Sequence, residues 1–302
     1  MLAISEYRGI KFVSKVYFTK DISSNGLLKI YKALNYELKG KVAVKISTGE
    51  PGGHNFLQPQ LIKELVQKLN GTIVECNTAY PGRRNTTEAH LETIKEHGFL
   101  NIAPCDIMDS EGEIELPVQN GFHLKKNYVG KNLKNYNSML VLSHFKGHMM
   151  GGFGGALKNI AIGIASSRGK ILIHTAGKSE TFDDTFSTNQ DSFLESMADA
   201  NKSVIDYMGA ENIAYISVAN RLSVDCDCDS HPAEPEMADI GIFASLDPVS
   251  IDKACVDSVY NSQDEGKKAL IERMESRHGI RTVEAAYELG LGDMKYELID
   301  ID

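Results

Sequence analysis

The strongest constraint on the fold is an alternation of short apolar runs, rich in β-branched residues, with longer segments of helical periodicity. Such runs predict buried strands. An amphipathic helix over residues 57–69 has Pro59 at its first turn, and a second helix is expected to begin at Asn85, which has capping-box spacing to Glu88. The alternation predicts an α/β fold, a mostly parallel sheet with crossover helices. The predicted strands are residues 42–47, 72–76, 138–143, 213–219 and 240–244.

The domain organisation rests on one segment of different composition. Residues 177–189 are rich in Ser, Thr and Asp, which is typical of a linker or loop. We therefore expect two lobes with a cleft, residues 1–178 and residues 179–302, although one continuous domain would also accommodate the pattern. The second lobe should contain a long helix over 191–207 and another that Pro248 opens behind an Asp247 cap.

Charge and composition exclude several classes of partner. The formal net charge of −9 argues against a nucleic-acid binder, which needs clustered Lys and Arg. No uncharged apolar run is long enough to cross a membrane, and the first residues lack the pattern of a signal or transit peptide. A cytoplasmic location is the resulting expectation. Five cysteines, an odd number, predict free thiols and no disulfide framework.

The residues best suited to chemistry follow the predicted strands. In open parallel sheets ligands bind beyond the carboxyl ends of the strands, so these loops are expected to converge on one crevice. Glycine and polar residues also fill ordinary loops, which is the alternative reading. The loops are residues 47–54, 77–85, 144–158, 220–231 and 245–252.

The richest loop runs from His144 to Asn159 and contains five glycines. Its glycines, with Gly152, Gly154 and Gly155 foremost, would let backbone amides approach an anion at the start of a helix. Lys146 and Lys158 add positive charge beside them. The spacing matches neither a P-loop nor a dinucleotide fingerprint, so neither ATP nor NAD is inferred. The expected ligand is a small anionic molecule.

Histidines and arginines supply further candidates. His148 is a candidate acid–base group or ligand, and His144, four residues before it, a candidate metal ligand. Arg83 and Arg84 could clamp a carboxylate or lie on the wet surface. His54 is grouped with these anion contacts.

A second cluster of donors lies at residues 225–231. In extended backbone, Cys226 and Cys228 face one way and the neighbouring carboxylates the other, so soft and hard metal ligands occupy opposite faces. Asp225, Cys226 and Cys228 are therefore candidate metal ligands. The alternative is a solvated acidic turn with two incidental thiols.

Several of these segments together resemble one known family. Over residues 41–260 the chain is similar to the uncharacterised iron–sulfur center proteins of domain of unknown function 362. Many members carry a ferredoxin-like insert after the segment that matches residues 169–177, and this sequence lacks that insert. A ferredoxin-type cluster is accordingly disfavoured. The resemblance rests on residues 44–54, 77–85, 143–148, 152–159, 225–228 and 239–252.

A more distant likeness is to nickel-pincer lactate racemases. His148, the glycine turn of residues 152–155, Lys158 and His174 follow one another as do that family's histidine, Gly-rich turn, cofactor-anchoring lysine and metal-binding histidine. The likeness implies a cofactor contact for Lys158 and a metal ligand in His174. The other catalytic histidine of those enzymes lies in a loop resembling residues 80–84, which contain no histidine here.

Two main functions remain open from the sequence. The first is an enzyme of racemase, isomerase or redox type whose metal- or cofactor-dependent site takes a small anionic ligand, with His148 and Lys158 as the catalytic residues. The alternative is a non-catalytic redox or metal-handling module that works with a separate electron-transfer partner. A degenerate relative that only binds a phosphate or metabolite is a third reading. The cofactor is unknown, and a metal ion is one candidate.

Overall fold

The computed structural model describes residues 13–302, so the start of the chain, and with it the first part of the predicted first lobe, lies outside the described residues. Twelve strands and nine α-helices form within that range. The strands are β1 Ser14–Thr19, β2 Val42–Lys45, β3 Thr72–Glu75, β4 Cys105–Ile107, β5 Glu113–Pro117, β6 Lys126–Gly130, β7 Ser138–His144, β8 Lys146–His148, β9 Gly152–Gly154, β10 Ile213–Ala219, β11 Gly241–Ser245 and β12 Tyr296–Asp300.

The helices lie mostly between these strands. Short 3-10 turns occupy Phe99–Asn101, Lys131–Asn135, Phe182–Ser187 and Ala210–Asn212. The α-helices are α1 Ser24–Ala33, α2 Pro59–Lys68, α3 Thr87–Glu96, α4 Ala156–Ile164, α5 Ser167–His174, α6 Gln190–Met208, α7 Pro248–Asn261, α8 Lys267–Ser276 and α9 Arg281–Glu288.

The central sheet has eight strands in the order β12-β1-β11-β10-β7-β2-β3-β4. Every neighbouring pair is parallel except the two that β11 makes, with β1 and with β10. The predicted α/β fold with a mostly parallel sheet is confirmed, as is the neighbourhood of β7, β2 and β3. The expectation of a parallel strand near residues 240–244 is wrong in direction. Because β11 is antiparallel to its neighbours, residues 245–252 follow it at the end of the sheet opposite to the carboxyl ends of β2, β3 and β7.

The sheet is buried on both faces, which explains its nearly continuous apolar strands. In β7, Met139 and Val141 pack into one apolar cluster, and Leu140 and Leu142 into the other. Helices α4, α6 and α7 contribute to the first cluster, and α1, α2 and α3 to the second. Two small hairpins, β5–β6 and β8–β9, lie outside this sheet.

Local signals for the helix ends are mostly matched. Asp247 accepts hydrogen bonds from the amides of Val249 and Ser250, as expected of the α7 cap. The cap of α3 is Thr86, whose hydroxyl accepts from Ala89, so the expectation of Asn85 as the cap is wrong by one residue. The division into residues 1–178 and 179–302 stays a prediction, and β7 pairs with β10 across it.

Within residues 13–302, the helices are all too short or too polar to traverse a lipid bilayer.

Candidate functional site

A cavity of about 380 Å³ lies where β2, β3 and β7 end. Its volume is in the range of small-molecule sites, and it lies beyond the carboxyl ends of parallel strands, where such sites are expected. Four of the five predicted loops contribute to it. The fifth, residues 245–252, does not, because β11 runs in the opposite direction.

The cavity wall carries an excess of positive charge, although the whole chain is acidic. Five basic side chains and only two carboxylates line it. The basic side chains divide into those that form an ion pair with a carboxylate and those that do not form one with any residue from 13 to 302. The basic residues are Lys45, Arg84, Lys146, Lys158 and Lys170, and the acidic ones are Glu75 and Asp227.

Arg84 is buried within a network of carboxylates. Its Nε donates to Glu50 Oε1 at 2.8 Å, and its Nη1 lies 3.6 Å from Glu75 Oε1. Tyr80 Oη donates to the same Glu50 oxygen at 2.6 Å. Although burial opposes it, the bond to His90 and the charges of His90 and Arg84 hold the pKa of Glu75 below its usual range. Arg84 therefore faces the cavity as predicted, but its charge is already matched, which argues against a free carboxylate clamp.

Lys146 and His144 share one buried acid, Asp227. Lys146 Nζ lies 2.8 Å from Asp227 Oδ2, and His144 Nδ1 lies 2.9 Å from Asp227 Oδ1. His144 Nε2 lies 2.7 Å from the carbonyl oxygen of Asn220. Because both ring nitrogens face oxygen acceptors, neither directs a lone pair at the cavity. The predicted role of His144 as a metal ligand does not fit this geometry.

Among residues 13–302, Lys45 and Lys170 make hydrogen bonds only to uncharged groups. Lys45 Nζ donates to Asn159 Oδ1 at 3.0 Å and to the neighbouring main chain, and Lys170 Nζ donates to the carbonyl of Ala165 at 2.5 Å. Burial lowers the pKa of Lys45 to about 8 and also lowers that of Lys170. Both side chains line the cavity, and neither amine makes an ion pair with a residue from 13 to 302, although the charge of Glu75 opposes the lowering of both pKa values.

Lys158 is the least satisfied cation of the wall. Its side chain lines the cavity beside Gly154, and its amine makes no hydrogen bond or ion pair with any residue from 13 to 302. Burial, followed by the charge of Lys146, lowers the pKa of Lys158 to about 7. A substantial share of this amine is thus unprotonated near neutral pH, and its lone pair is available to act as a base or nucleophile.

Two histidines face the same cavity with opposite tautomers. His148 Nδ1 accepts the backbone N–H groups of Met150 and Gly151, at 3.2 and 2.8 Å, so the proton of the neutral ring lies on Nε2. His174 Nδ1 donates to the carbonyl of Lys170 at 2.6 Å, which leaves a lone pair on Nε2. Burial lowers the pKa of His174 to about 4 and that of His148 well below its usual value, so both rings are neutral.

Cys226 and Cys228 form a disulfide at the edge of the cavity, which was not expected from the sequence. Cys76, Cys105 and Cys255 are free, in line with the expected free thiols. The Cys226, Cys228 and His148 ligand atoms lie within 4.8 Å of one another, a spacing that could hold a metal ion. The proton on His148 Nε2 opposes this, because Nδ1 already accepts two N–H groups and a metal on Nε2 would require an imidazolate.

The glycine turn does not present its helix to a ligand. Two backbone N–H groups at the start of α4, those of Ala156 and Leu157, donate to the buried carboxylate of Asp252 at 2.7 and 2.9 Å. A Cβ at Gly155 would overlap that carboxylate. The expectation that the start of this helix receives an external anion is therefore wrong, because Asp252 occupies the position.

Comparison with known proteins places the chain in a family. The family model described as Domain of unknown function (DUF362) matches residues 42–257, more than half of the chain. The chain belongs to this family. Among curated proteins, none matches its sequence significantly.

Two solved structures resemble this family member at the level of the fold. The lactate racemase apoprotein from Thermoanaerobacterium thermosaccharolyticum has 15% identity and a TM-score of 0.45, with 82% of this chain and 57% of that chain covered. A structural-genomics crystal structure of a Thermotoga maritima protein has 14% identity and a TM-score of 0.43, with 78% and 58% covered. This chain thus spans less than two thirds of either protein.

Several predicted site residues lie outside the cavity of this DUF362 protein. Arg83 is exposed and pairs with Glu96, 2.7 Å away. His54 is exposed and lies 3.0 Å from Glu234. Asp225 pairs with Arg273, and Gly152 packs against Gly279. The structure does not bring these four together with His148, Lys158 and His174, so their predicted roles in anion or metal binding find no support in its geometry. Gly154, Gly155 and Lys146 do line the cavity.

Sequence reasoning missed other residues of the cavity wall. Lys45 is a lysine in an otherwise apolar strand, and this pattern is the sequence signal that could identify it. Lys170 has no comparable signal, and Asp227 lies in the donor-rich segment 225–231, where the pattern does not show that it would pair with Lys146. The predicted linker contains Phe182 and Phe186, which line the cavity, so this segment is part of the wall.

Proposed function

We propose that the cavity is the active site of an enzyme that binds a small anionic ligand and transfers a proton on it, a racemase or isomerase type of reaction. The observation that carries this proposal is the amine of Lys158, which faces the cavity without a partner among the residues described. In the ligand-free protein, an unpaired cation of this kind does not stabilise the fold. The pairing that is missing is what an anionic ligand would supply.

The charge of the wall favours an anion over a neutral molecule. Lys45, Lys158 and Lys170 line the cavity, and no carboxylate of residues 13–302 forms an ion pair with them. A carboxylate or phosphate here would form charge-assisted hydrogen bonds, which are about twice as strong as neutral ones. Binding would also raise the lysine pKa values, because an adjacent negative charge favours the ammonium form.

Part of the ligand should be apolar. Met149 and Phe186 are 57% and 73% exposed at the rim, and Phe182 stands edge-on to Phe186 with 5.6 Å between ring centroids. Ile162 and Ile171 extend the apolar lining. A ligand with an anionic head and a small apolar body would match both parts of the wall.

The proton-transfer groups are Lys158 and His174. The amine of Lys158 is partly unprotonated near neutral pH, and the free lone pair on His174 Nε2 can accept a proton. The surrounding lysines would stabilise negative charge that develops when a C–H bond next to a carboxylate is broken. His148 would donate a hydrogen bond from Nε2. No step is assigned to a metal, because the donor set of His148, Cys226 and Cys228 does not suit one.

Binding is tested with a charged probe and its neutral analogue. Phenylacetate should bind at least about tenfold more tightly than phenylacetamide by calorimetric titration, a difference of about 1.4 kcal/mol. Lys158→Met should remove most of that preference, whereas Lys63→Met, on the exposed face of α2, should keep it. Equal affinities for the two probes in the wild-type protein would contradict the anion site.

Proton transfer is tested separately from binding. A panel of 2-hydroxy and 2-amino acids is incubated with the protein in D₂O, and exchange at the α-carbon is followed by NMR. Exchange that disappears in Lys158→Met and His174→Phe would support the reaction. Binding without exchange of any member of the panel would leave an anion-binding protein and reject this reaction class.

A metal-handling function is the second candidate. It rests on the spacing of His148, Cys226 and Cys228, it requires reduction of the disulfide and loss of the proton from His148 Nε2, and it would involve a separate redox protein as partner. One equivalent of zinc retained by the reduced protein, and lost in His148→Phe, would favour it over the enzyme. The cytoplasmic location stays a prediction.

A further inference from the structure

We propose that Cys226 and Cys228 are a thiol–disulfide redox couple that exchanges with a small thiol carrying a carboxylate, bound in the cation-lined cavity. This inference rests on the proposed anion site and names a chemical class of ligand for it. Both cysteines line the cavity, so the disulfide and the unpaired lysines face the same space. A thiol that carries a negative charge could react with the disulfide and also pair with the lysines.

Each sulfur has its own hydrogen-bond donor. The backbone N–H of Cys228 points at Cys226 Sγ at 3.2 Å. His148 Nε2, which carries the proton of the neutral ring, lies 3.8 Å from Cys228 Sγ. Thiolates are the reactive and leaving forms in exchange, and donors at both sulfurs favour their release. The tautomer that opposes a metal therefore suits a redox couple.

The two sulfurs differ in access. Cys226 is only 7% exposed, whereas Cys228 is partly exposed towards the cavity. Asp227, between them, turns away to pair with Lys146 and His144. An incoming thiolate would thus attack Cys228 Sγ, and Cys226 would be the leaving group.

The position of the disulfide argues against a purely structural role. The cysteines are two residues apart, so the bond closes a very short loop. The entropy that a crosslink removes from the unfolded chain grows with loop length, and this crosslink is near the minimum. Its main physical consequence is local, at the cavity wall.

The exchange balances with two equivalents of thiol. A thiolate RS⁻ attacks Cys228 Sγ, an S–S bond between R and Cys228 forms, and Cys226 leaves as a thiolate that takes up a proton. A second RS⁻ attacks the R-bound sulfur, RSSR leaves, and Cys228 becomes a thiolate that takes up the second proton. The protein disulfide gains two electrons, and two thiols are oxidised to one disulfide.

Three monothiols that differ in charge test the proposal on the purified full chain. They are mercaptoacetate, 2-mercaptoethanol and cysteamine, and each rate is divided by the rate of the same thiol with a neutral small-molecule disulfide. Thiols are counted by alkylation and intact mass, as three free thiols before reduction and five after it. We expect mercaptoacetate to exceed cysteamine by roughly tenfold or more, since oriented charge raises encounter rates by 10–10³.

Matched variants assign the preference to the cavity. Lys158→Met should lower the preference for mercaptoacetate severalfold, Lys158→Arg should keep it, and Lys63→Met should not change it. Cys228→Ser should leave no exchange at this site. Equal normalised rates for the three thiols would overturn the proposal, as would a protein whose Cys226 and Cys228 stay reduced under mild oxidation.

The phenylacetate titration separates the two failures. If phenylacetate binds through Lys158 but the three thiols react equally, only the thiol ligand is rejected. If phenylacetate shows no preference over its amide, the anion site itself is rejected.

Discussion

The two sides of the cavity wall hold their positive charges in opposite ways. On one side Arg84 is surrounded by Glu50, Glu75 and the hydroxyl of Tyr80. On the other, Lys45 is buried and Lys158 is half-buried, and neither amine makes an ion pair with a residue from 13 to 302. Both sides remove cations from bulk water, which is unfavourable unless the charge is paired. The first side pairs them within the protein, and the second leaves that pairing to a ligand.

This difference separates a structural charge from a functional one. A paired buried ion is hard to remove, because its partners lose their counterion. Replacing an unpaired buried cation should not destabilise the folded protein, but it should weaken the binding of an anionic ligand. The same substitution, a basic residue to methionine, should therefore have opposite consequences on the two sides.

The largest effect is expected for Arg84→Met. It leaves the carboxylates of Glu50 and Glu75 buried without their main cation, and breaking a buried pair in this way costs about 3–5 kcal/mol. The free energy of unfolding from urea titration measures the loss. Arg83→Met is the matched control, since its exposed pair with Glu96 should leave the unfolding midpoint close to that of the wild type. Similar losses of unfolding free energy in the two variants would show that the buried pairs of Arg84 contribute no more to stability than an exposed pair.

The fold was predictable from the sequence because its signals are local. Apolar runs and helical periodicity identify β2, β3, β7 and β10, and Asp247-Pro248 marks the start of α7. The direction of β11 was not predictable, since its apolar run looks the same in either direction. Strand direction depends on how the chain returns to the sheet, which a single sequence does not state.

The site was predictable only in part. The convergence of His148, Lys158 and His174 followed from loops at strand ends, together with the family resemblance. The sequence did not show which cations lack a partner. Pairing depends on residues far along the chain, such as Glu50 for Arg84 and Asp252 for the start of α4. Adjacent Arg83 and Arg84 illustrate this: the sequence treats them alike, and only one faces the cavity.

The second largest effect is expected for Lys158→Met, which should change the free energy of unfolding by removing a cation from the unpaired side of the wall. The pKa of Lys158 falls from 10.5 to about 7 on folding, so the unfolded chain binds the proton more tightly. The ammonium form therefore destabilises the wild type fully below pH 7, and this penalty fades as the pH rises from about 7 to 10.5. A fall of this size corresponds to at most about 5 kcal/mol, so we expect the variant to be more stable than the wild type by a few kcal/mol at pH 6.

Urea titrations at several pH values check this sign. The advantage of Lys158→Met should shrink between pH 7 and pH 10, and Lys63→Met should show no such trend. A variant less stable than the wild type at pH 6 would mean that Lys158 is paired in solution, which would weaken the contrast between the two sides.

The smallest effect is expected for Gly163→Ala in α4, which tests whether the position of Lys45 matters. A Cβ at residue 163 would overlap the end of the Lys45 side chain. Alanine gains about 0.5–1 kcal/mol in a helix interior. Displacing Lys45 loses its bond to Asn159, worth about 0.5–1.5 kcal/mol, so the unfolding free energy should barely change.

The affinity of Gly163→Ala for phenylacetate should nevertheless fall by roughly twofold to fivefold, which corresponds to the loss of about 0.4–1 kcal/mol from one displaced cation. A double-mutant cycle assigns the cause: in a Lys45→Met background, Gly163→Ala should have no further effect on affinity, because the side chain that it displaces is gone. Additive losses would place the effect of the methyl group elsewhere in α4.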